Sequence, residues 1–272
     1  MKKQSYNKRC IPYILFVLIF SSCEKVIDIN LDNVEKKYVI EAVLTDRAGT
    51  AKVLITQTKD FDEDNNFPGI SGATVTIKET GGATTTLTET SAGKYESPAL
   101  TGISGKTYHL SVIIAGKTFS AISTMPQKVN LDTIYTTDEF IFTDTRKIVN
   151  ADFKDPTGRG NNYRFIQYVN GLKEKQLFIQ NDDYTDGRIN NNKLYYFPDD
   201  NDDSTIIKSG NTVVIDLLCI DPNSYKYWFS LDRSSTGGGN QATPSNPVTN
   251  MQGGALGYFS AHTLQTKTME VP

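Results

Sequence analysis

Short segments in which apolar and polar residues alternate are the feature that most constrains how this chain can fold. Residues 107–114 place Tyr108, Leu110, Val112 and Ile114 at every second position. Similar segments recur about every ten residues between residues 38 and 124, separated by turn residues and without a helical period. Because a strand with this period buries one face, about seven such strands indicate an antiparallel β-sandwich of immunoglobulin or transthyretin type.

The second half of the chain is also rich in strand signals, but the pattern is less regular. Strand candidates lie at residues 131–135, 148–153, 163–169, 175–179, 193–197 and 212–220, with a final strand ending near Val271. Residues 212–220 are the most apolar and are expected in the middle of a sheet. Met125-Pro126 ends the first set of strands, because proline cannot donate to a ladder. We therefore predict a β-sandwich domain at 37–126 and a β-rich C-terminal domain at 127–272.

One helix is predicted, directly after residues 212–220. Asp221 suits the N-cap and Pro222 the first helical position. In the predicted helix at 222–232, Tyr225, Trp228 and Phe229 fall on one face, which we expect to pack on a sheet.

The first 22 residues have the composition of a secretory signal peptide. Four basic residues precede an apolar run at residues 11–20, which is too short to span a hydrocarbon core of about 30 Å. Two serines then lead to Cys23, an arrangement that resembles the lipobox of bacterial lipoproteins, with Phe20 in place of the usual Leu. We expect cleavage after residue 22, a lipid on Cys23 that anchors the chain to a membrane, and a tether at 23–36. A secreted form without lipid is the alternative.

Charge and cysteine content restrict the partners. The formal net charge is −3, and removing the four basic residues of the leader leaves −7, which argues against nucleic acid as a partner. Of the three cysteines, Cys10 would leave with the leader and Cys23 would carry the lipid. Cys219, in the apolar segment 212–220, then has no disulfide partner and is expected to be a buried thiol.

Catalytic motifs are not recognisable in the sequence. The two histidines, His109 on the outward face of a strand and His262 in the last hairpin, lie in no zinc-binding or serine-hydrolase motif and are expected to be surface or hairpin residues. We therefore expect a protein that is not an enzyme. A hydrolase that uses two carboxylates from distant segments is a further alternative.

Acidic loops are the candidates for a metal site. Asp60, Asp62 and Asp64 are spaced two residues apart as in calcium-binding loops, although Asn65 and Ser71 stand where an EF-hand has Gly and Glu. Residues 182–187 and 199–203 are similarly acidic. A structural calcium ion in one of these loops is one interpretation and an ordinary solvated loop is the other; no other cofactor is expected.

Aromatic residues next to polar loops are the candidates for ligand binding. Tyr195 and Tyr196 adjoin an acidic loop, and Tyr258 and Phe259 follow a glycine-rich segment. Exposed rings in such places can bind sugars or peptides by stacking, so these four residues form the predicted binding set. Packing in the core of a β-sandwich is the alternative for each ring.

The sequence NPVTNMQGGALGYFSA at residues 246–261 resembles the closing signature of the DUF4249 family. The segment VIEAVL at residues 39–44 and the predicted helix at 222–232 are similar to that family too. The family is a group of lipoproteins from Bacteroidota for which no catalytic or ligand residues are established. The resemblance implies a location in the outer membrane and a gene that lies near those of TonB-dependent transporters.

Taken with the leader, these features predict a lipid-anchored outer-membrane lipoprotein that faces either the periplasm or the cell exterior. We expect a non-enzymatic accessory or ligand-binding partner of a TonB-dependent transporter, with contacts from the loops at 181–203 and 234–257. The alternative is a structural fimbrial or adhesin-like subunit, in which terminal strands pair between chains.

Overall fold

The computed structural model describes residues 35–60, 63–197, 204, 206–235 and 245–272. The predicted signal peptide, Cys23 and nearly all of the tether lie outside the described residues, as do residues 199–203 and most of the glycine-rich loop. Lys36–Lys59 and Glu63–Pro272 cluster into one unit, within which all elements below are found.

The described residues form mostly β-strands. In chain order these are β1 (Tyr38–Thr45), β2 (Ala51–Gln57), β3 (Thr74–Glu79), β4 (Thr84–Thr86), β5 (Thr88–Ser91), β6 (Lys94–Ser97), β7 (Thr107–Ile114), β8 (Lys117–Thr124), β9 (Leu131–Ile141), β10 (Asp144–Lys154), β11 (Asn162–Val169), β12 (Leu172–Lys173), β13 (Phe178–Asn181), β14 (Ile189–Leu194), β15 (Thr212–Ile220) and β16 (Leu256–Glu270), with one described α-helix, α1 (Pro222–Ser235), between β15 and β16. The predicted mainly β fold class with one helix is confirmed.

Three sheets organise these strands. The largest has nine strands in the order β12-β11-β15-β16-β1-β2-β6-β5, with β13 also paired to β11; a second has the order β4-β3-β7-β8 and a third the order β14-β10-β9. All pairings in the large sheet are antiparallel except that of β1 with β16, which is parallel. This parallel pairing joins the first described strand, β1, to the last, β16, although the two are far apart in the sequence.

The first core lies between the large sheet and the four-stranded sheet. Its buried residues come from alternate positions, such as Ile40, Ala42 and Leu44 on β1 facing Tyr108, Leu110 and Val112 on β7. This packing of two sheets is the predicted immunoglobulin-like sandwich, and it confirms the alternation on which the prediction was based. Phe259 on β16 completes the same core.

The second core lies between the other half of the large sheet and the three-stranded sheet. Phe153 on β10, Phe165 on β11 and Ile215 on β15 are among its fully buried members. As predicted, β15 is a central strand, and Cys219 on it is a buried free thiol. The first core is formed mostly by residues before the predicted domain division at residue 126, but Phe259 of β16 belongs to it as well, so that division stays a prediction.

Strand β16 differs from the prediction. The glycine-rich segment and the last strand were expected to form a hairpin, whereas β16 is one strand of 15 residues. Residues 256–262 pair with β1 and residues 263–270 pair with β15. Gly257 permits the close approach of β1, because a Cβ at this position would lie 2.1 Å from the Ile40 carbonyl oxygen.

Helix α1 covers the opposite face of the large sheet, and its predicted start is confirmed. Asp221 Oδ1 accepts hydrogen bonds from the amides of Asn223 and Ser224 at 2.8 and 2.9 Å, which is N-cap geometry. Trp228 is buried there as predicted, but Phe229 is exposed, which corrects the predicted face. Tyr227 lies on the buried face of the helix instead, with its ring 4.7 Å from that of Tyr258.

A buried arginine lies beneath this helix. The guanidinium carbon of Arg164 on β11 is 3.4 Å from the centre of the Trp228 ring, and burial lowers the pKa of Arg164. Stacking on an aromatic ring compensates part of the cost of burying the charge. Arg164 therefore fixes the helix against the sheet.

Candidate functional site

The four aromatic residues predicted to bind ligands lie in different environments. Tyr196 and Phe259 are fully buried and Tyr258 is nearly so. The Tyr196 hydroxyl accepts a hydrogen bond from the Ile207 amide at 3.0 Å. These three rings are core residues, which corrects the expectation that they are exposed. Tyr258 and Phe259 are adjacent on β16 and face opposite sides of the large sheet, so Phe259 enters the first core and Tyr258 packs against Trp228 of helix α1. Tyr196 packs in the second core. Tyr195 is 41% exposed and stays a candidate for binding.

Tyr195 belongs to a larger group of exposed rings on the three-stranded sheet. Phe140, near the end of β9, is 75% exposed, and Phe142, in the turn between β9 and β10, is 81% exposed. Phe197, three residues after β14, is 56% exposed. The rings of Phe142 and Phe197 are 6.2 Å apart, so the turn and the segment after β14 meet. We call Phe140, Phe142, Tyr195 and Phe197 the aromatic edge.

The backbone at Phe142 is unusual for a large side chain. Phe142 is the first of two residues between Ile141 and Asp144, which pair with each other, and its φ is 56°. Glycine is favoured where a hairpin turn needs a positive φ, and another residue there costs about 1–3 kcal/mol. The fold therefore holds an exposed ring at a position where glycine would be less strained.

Polar side chains flank the aromatic edge on the same sheet. Lys193 on β14 donates a hydrogen bond to Glu139 on β9 at 2.5 Å, which lowers the pKa of Glu139 and raises that of Lys193. Asn191 donates to the Tyr135 hydroxyl at 3.0 Å. Exposed rings beside fixed hydrogen-bonding groups suit the binding of a partner that is partly apolar and partly polar.

A group of three aspartates lies at the other end of the same sheet. Asp155 follows β10, Asp182 follows β13, and Asp186 precedes β14. One carboxylate oxygen from each lies within 4.8 Å of the other two. Asp155 and Asp182 are buried and Asp186 is half-buried. We call these three residues the aspartate cluster.

The aspartate cluster was only partly visible in the sequence. Asp182 and Asp186 belong to the acidic segment 182–187, which was considered as a calcium loop. Asp155 is remote in sequence, and only the pairing of β10 with β14 brings it to them. Sequence spacing alone gives no signal for such a contact.

Of the other predicted metal ligands, Asp60 and Asp64 belong to the described residues. Asp64 is exposed and forms an ion pair with Lys59, which lowers the pKa of Asp64. Asp62 lies outside the described residues, so the site predicted at Asp60, Asp62 and Asp64 stays a prediction.

The histidines do not form a catalytic pair in the structure. His109 is half-buried and its Nε2 is 2.8 Å from the Thr80 hydroxyl. His262 is buried on β16, which corrects the expectation that it is a hairpin residue, and its Nδ1 lies 3.0 Å from the Ser260 hydroxyl. Burial, followed by the nearby Arg164 charge, lowers the pKa of His262 to about 4.

Within the part of the chain that the structure describes, no helix has the length and apolar character needed to cross a membrane.

Comparison with known proteins shows the family of the chain. A segment of chicken tenascin with two fibronectin type III domains is similar at 10% identity over 87% of this chain and 99% of that one, with a TM-score of 0.26, too low to support an argument. No curated protein matches the chain. The model of the domain of unknown function DUF4249 matches residues 24–268, which is nearly the whole sequence. The chain therefore belongs to the DUF4249 family.

Proposed function

We propose that this protein is a lipid-anchored outer-membrane lipoprotein of Bacteroidota that acts as a non-enzymatic accessory or ligand-binding partner of a TonB-dependent transporter. The exposed aromatic edge is the observation that carries the binding role. The leader and Cys23 support the anchor, and the resemblance to the family noted above supports the location and the kind of partner.

The path of the chain suits a tethered module. β1 begins at Tyr38, two residues after the tether would end at Lys36, and Val39 pairs with Leu256 at the start of β16. From there β16 runs for 15 residues, which is about 45 Å in an extended strand. The C-terminal half, which includes the aromatic edge, is built around the far part of β16, away from the point where the tether enters.

The aromatic edge has the properties of a protein contact. Large rings are enriched among the residues that dominate binding energy, and groups of exposed apolar residues mark interaction surfaces. Phe142 strengthens this inference, because its strained backbone is unfavourable for folding and the exposed ring gains nothing from the core. A partner that covers the ring would offset that cost.

A binding role also fits where the reactive groups lie. His262 and Cys219 are both buried, and burial raises the pKa of the Cys219 thiol, which makes it a poor nucleophile at neutral pH. Neither residue is exposed to a substrate in solution.

The test is affinity purification of the full chain from its native membranes, comparing the parent with a variant that combines Phe140→Ser and Phe142→Gly. We expect the parent to recover a TonB-dependent transporter and the variant to recover at least about tenfold less, since each dominant aromatic contributes about 2 kcal/mol or more. The substitution to Gly should leave the free energy of unfolding within about 1 kcal/mol of the parent, so a loss of recovery reports on the contact.

Phe67→Ser is the matched control. Phe67 is 52% exposed and lies in the N-terminal half, away from the aromatic edge. It should recover the transporter as the parent does. Absence of a transporter from the parent sample, or equal recovery with all three proteins, would contradict the proposal.

A further inference from the structure

Among the residues that the structure describes, the aspartate cluster has no ion pair to supply the positive charge that three neighbouring carboxylates normally require. None of the described ion pairs includes Asp155, Asp182 or Asp186. Arg159 and Arg188 line a solvent-open depression together with Asp186, but both arginines are exposed. Charges in such positions are screened by water and do little to neutralise buried carboxylates.

Backbone amides hold the carboxylates of the cluster in place. Asp182 Oδ1 accepts from the Gly160 amide at 3.0 Å and its Oδ2 accepts from the Asn161 amide at 2.9 Å. Asp186 Oδ1 accepts from the Gly158 amide at 2.7 Å. Two carboxylates are therefore oriented before any ligand binds, which is how preformed cation sites are built.

Asp155 supplies a second, independent observation. Its side chain is fully buried, the Tyr163 hydroxyl donates to its Oδ1, and its Oδ2 has no hydrogen-bond partner among the described residues. The hydroxyl of Thr185, between Asp182 and Asp186 in the chain, is also buried without a partner. Leaving a carboxylate oxygen unpaired in the interior costs free energy of folding, so a bound group that interacts with this carboxylate oxygen is needed there.

The donor set selects the kind of cation. All the candidate ligands are oxygens, with no histidine or cysteine in the cluster, which suits a hard cation. Calcium binds oxygens at 2.3–2.6 Å, so two oxygens on opposite sides of the ion are at most about 5 Å apart, consistent with the spread of the cluster. The depression beside Asp186 gives a path from solvent.

We propose that Asp155, Asp182 and Asp186 bind a Ca²⁺ ion, with the Thr185 hydroxyl and water completing its coordination. The ion would connect the end of β10, the end of β13 and the turn before β14. Because β13 pairs with β11 in the large sheet while β10 and β14 form the three-stranded sheet, calcium fixes one sheet to the other. It thereby positions β14, which leads to the aromatic edge.

Electrostatics agree with this assignment. Burial raises the pKa of Asp155, and the charges of Asp182 and Asp186 add to that rise, while the Tyr163 hydroxyl and the Gly187 backbone amide oppose it. A bound divalent ion reverses this effect.

The test uses the purified full chain after treatment with EDTA. Calcium chloride alone, at about 100 times its dissociation constant, should raise the unfolding midpoint by about 5–10 °C. Terbium(III) should bind at the same site and luminesce when tyrosine is excited, since Tyr163 contacts Asp155. Calcium should displace the terbium signal.

Variants assign the effect to the cluster. Asp186→Asn, at a half-buried position, should weaken calcium binding at least about tenfold. Asp183→Asn, at an exposed position three residues earlier in the chain, should not weaken it. Asp155→Asn should abolish the calcium response while leaving the calcium-free protein at least as stable, because a buried charge is removed.

Other outcomes would overturn the assignment. If the three carboxylates instead share a proton, the midpoint will rise on acidification from pH 7.5 to 5.5 and calcium will have no effect. An unchanged calcium response in both Asp155→Asn and Asp186→Asn would show that calcium binds elsewhere. Terbium luminescence from the unmodified chain that calcium displaces shows that the chain binds calcium even if a variant does not fold, and its absence would contradict the proposal.

Discussion

Asp221 joins three parts of the fold, so its replacement is the most informative test of how the structure is held together. Its Oδ1 caps helix α1 through the amides of Asn223 and Ser224, and its Oδ2 accepts hydrogen bonds from the hydroxyls of Ser123 and Ser224. Ser123 on β8 in turn accepts from the Ala261 amide on β16 at 2.8 Å. The carboxylate is 4% exposed, so water cannot replace these partners.

The expected destabilisation follows from these contacts. Asp221→Ala removes an N-cap, which contributes about 1 kcal/mol, and a hydrogen bond from Ser123 to a buried charged group, which contributes about 1.5–3 kcal/mol. We therefore expect the free energy of unfolding to fall by about 2.5–4 kcal/mol, measured by urea denaturation followed by circular dichroism. Asp221→Asn is the matched control, because an amide oxygen can still cap the helix; its cost should be about 1–2 kcal/mol.

A double-mutant cycle isolates the link between the helix and the sandwich. Ser123→Ala and Asp221→Ala in combination should destabilise less than the sum of the two single changes, with a coupling energy of at least about 1 kcal/mol. If Asp221→Ala costs less than about 1 kcal/mol, or the two changes are additive, the proposed junction does not contribute to stability and the reasoning is refuted.

Two further predictions concern β16. Because the folded-state pKa of His262 is about 4 and its ordinary value is 6.5, the unfolded chain binds a proton in this window that the folded chain does not. The free energy of unfolding should therefore fall by about 2 kcal/mol from pH 7 to pH 5. His262→Gln should lose that part of the pH dependence in urea titrations. If the variant keeps the pH profile of the parent, the lowered pKa of His262 is contradicted. Gly257→Ala should be destabilising by several kcal/mol, because the new Cβ would meet the Ile40 carbonyl oxygen. The control is Gly254→Ala, where φ is a similar 89° but the space around the residue is open, and it should cost only about 1–3 kcal/mol in the same assay. Equal effects of the two glycine changes would show that β1 and β16 do not approach so closely.

Local patterns in the sequence were sufficient for much of the fold. Alternation identified strands such as β7 and the sandwich they form, because burial on one face of a strand leaves a period of two. The N-cap at Asp221 followed by Pro222 identified helix α1, since capping depends on neighbouring residues alone.

Contacts between distant segments were not accessible in the same way. The parallel pairing of β1 with β16 requires Gly257 to touch Ile40, and no local pattern encodes that partner. The same limit explains why Asp155 was not joined to Asp182 beforehand.

Ring placement shows a second limit of sequence reasoning. Tyr195 and Tyr196 are adjacent and equally aromatic, yet one is exposed and the other buried, because the register of the segment decides which ring faces the core. Phe140 and Phe142 flank Ile141, which packs against the second core; this alternation was the available signal for two outward rings, and it was missed.

The central claim is that a lipid on Cys23 anchors this module to a membrane. The most direct measurement is mass spectrometry of the N-terminal peptide of the protein isolated from its native membranes. The account predicts a chain that begins at Cys23 with acyl groups on that residue. A mature chain that begins at another residue, or an unmodified Cys23 thiol, would contradict it.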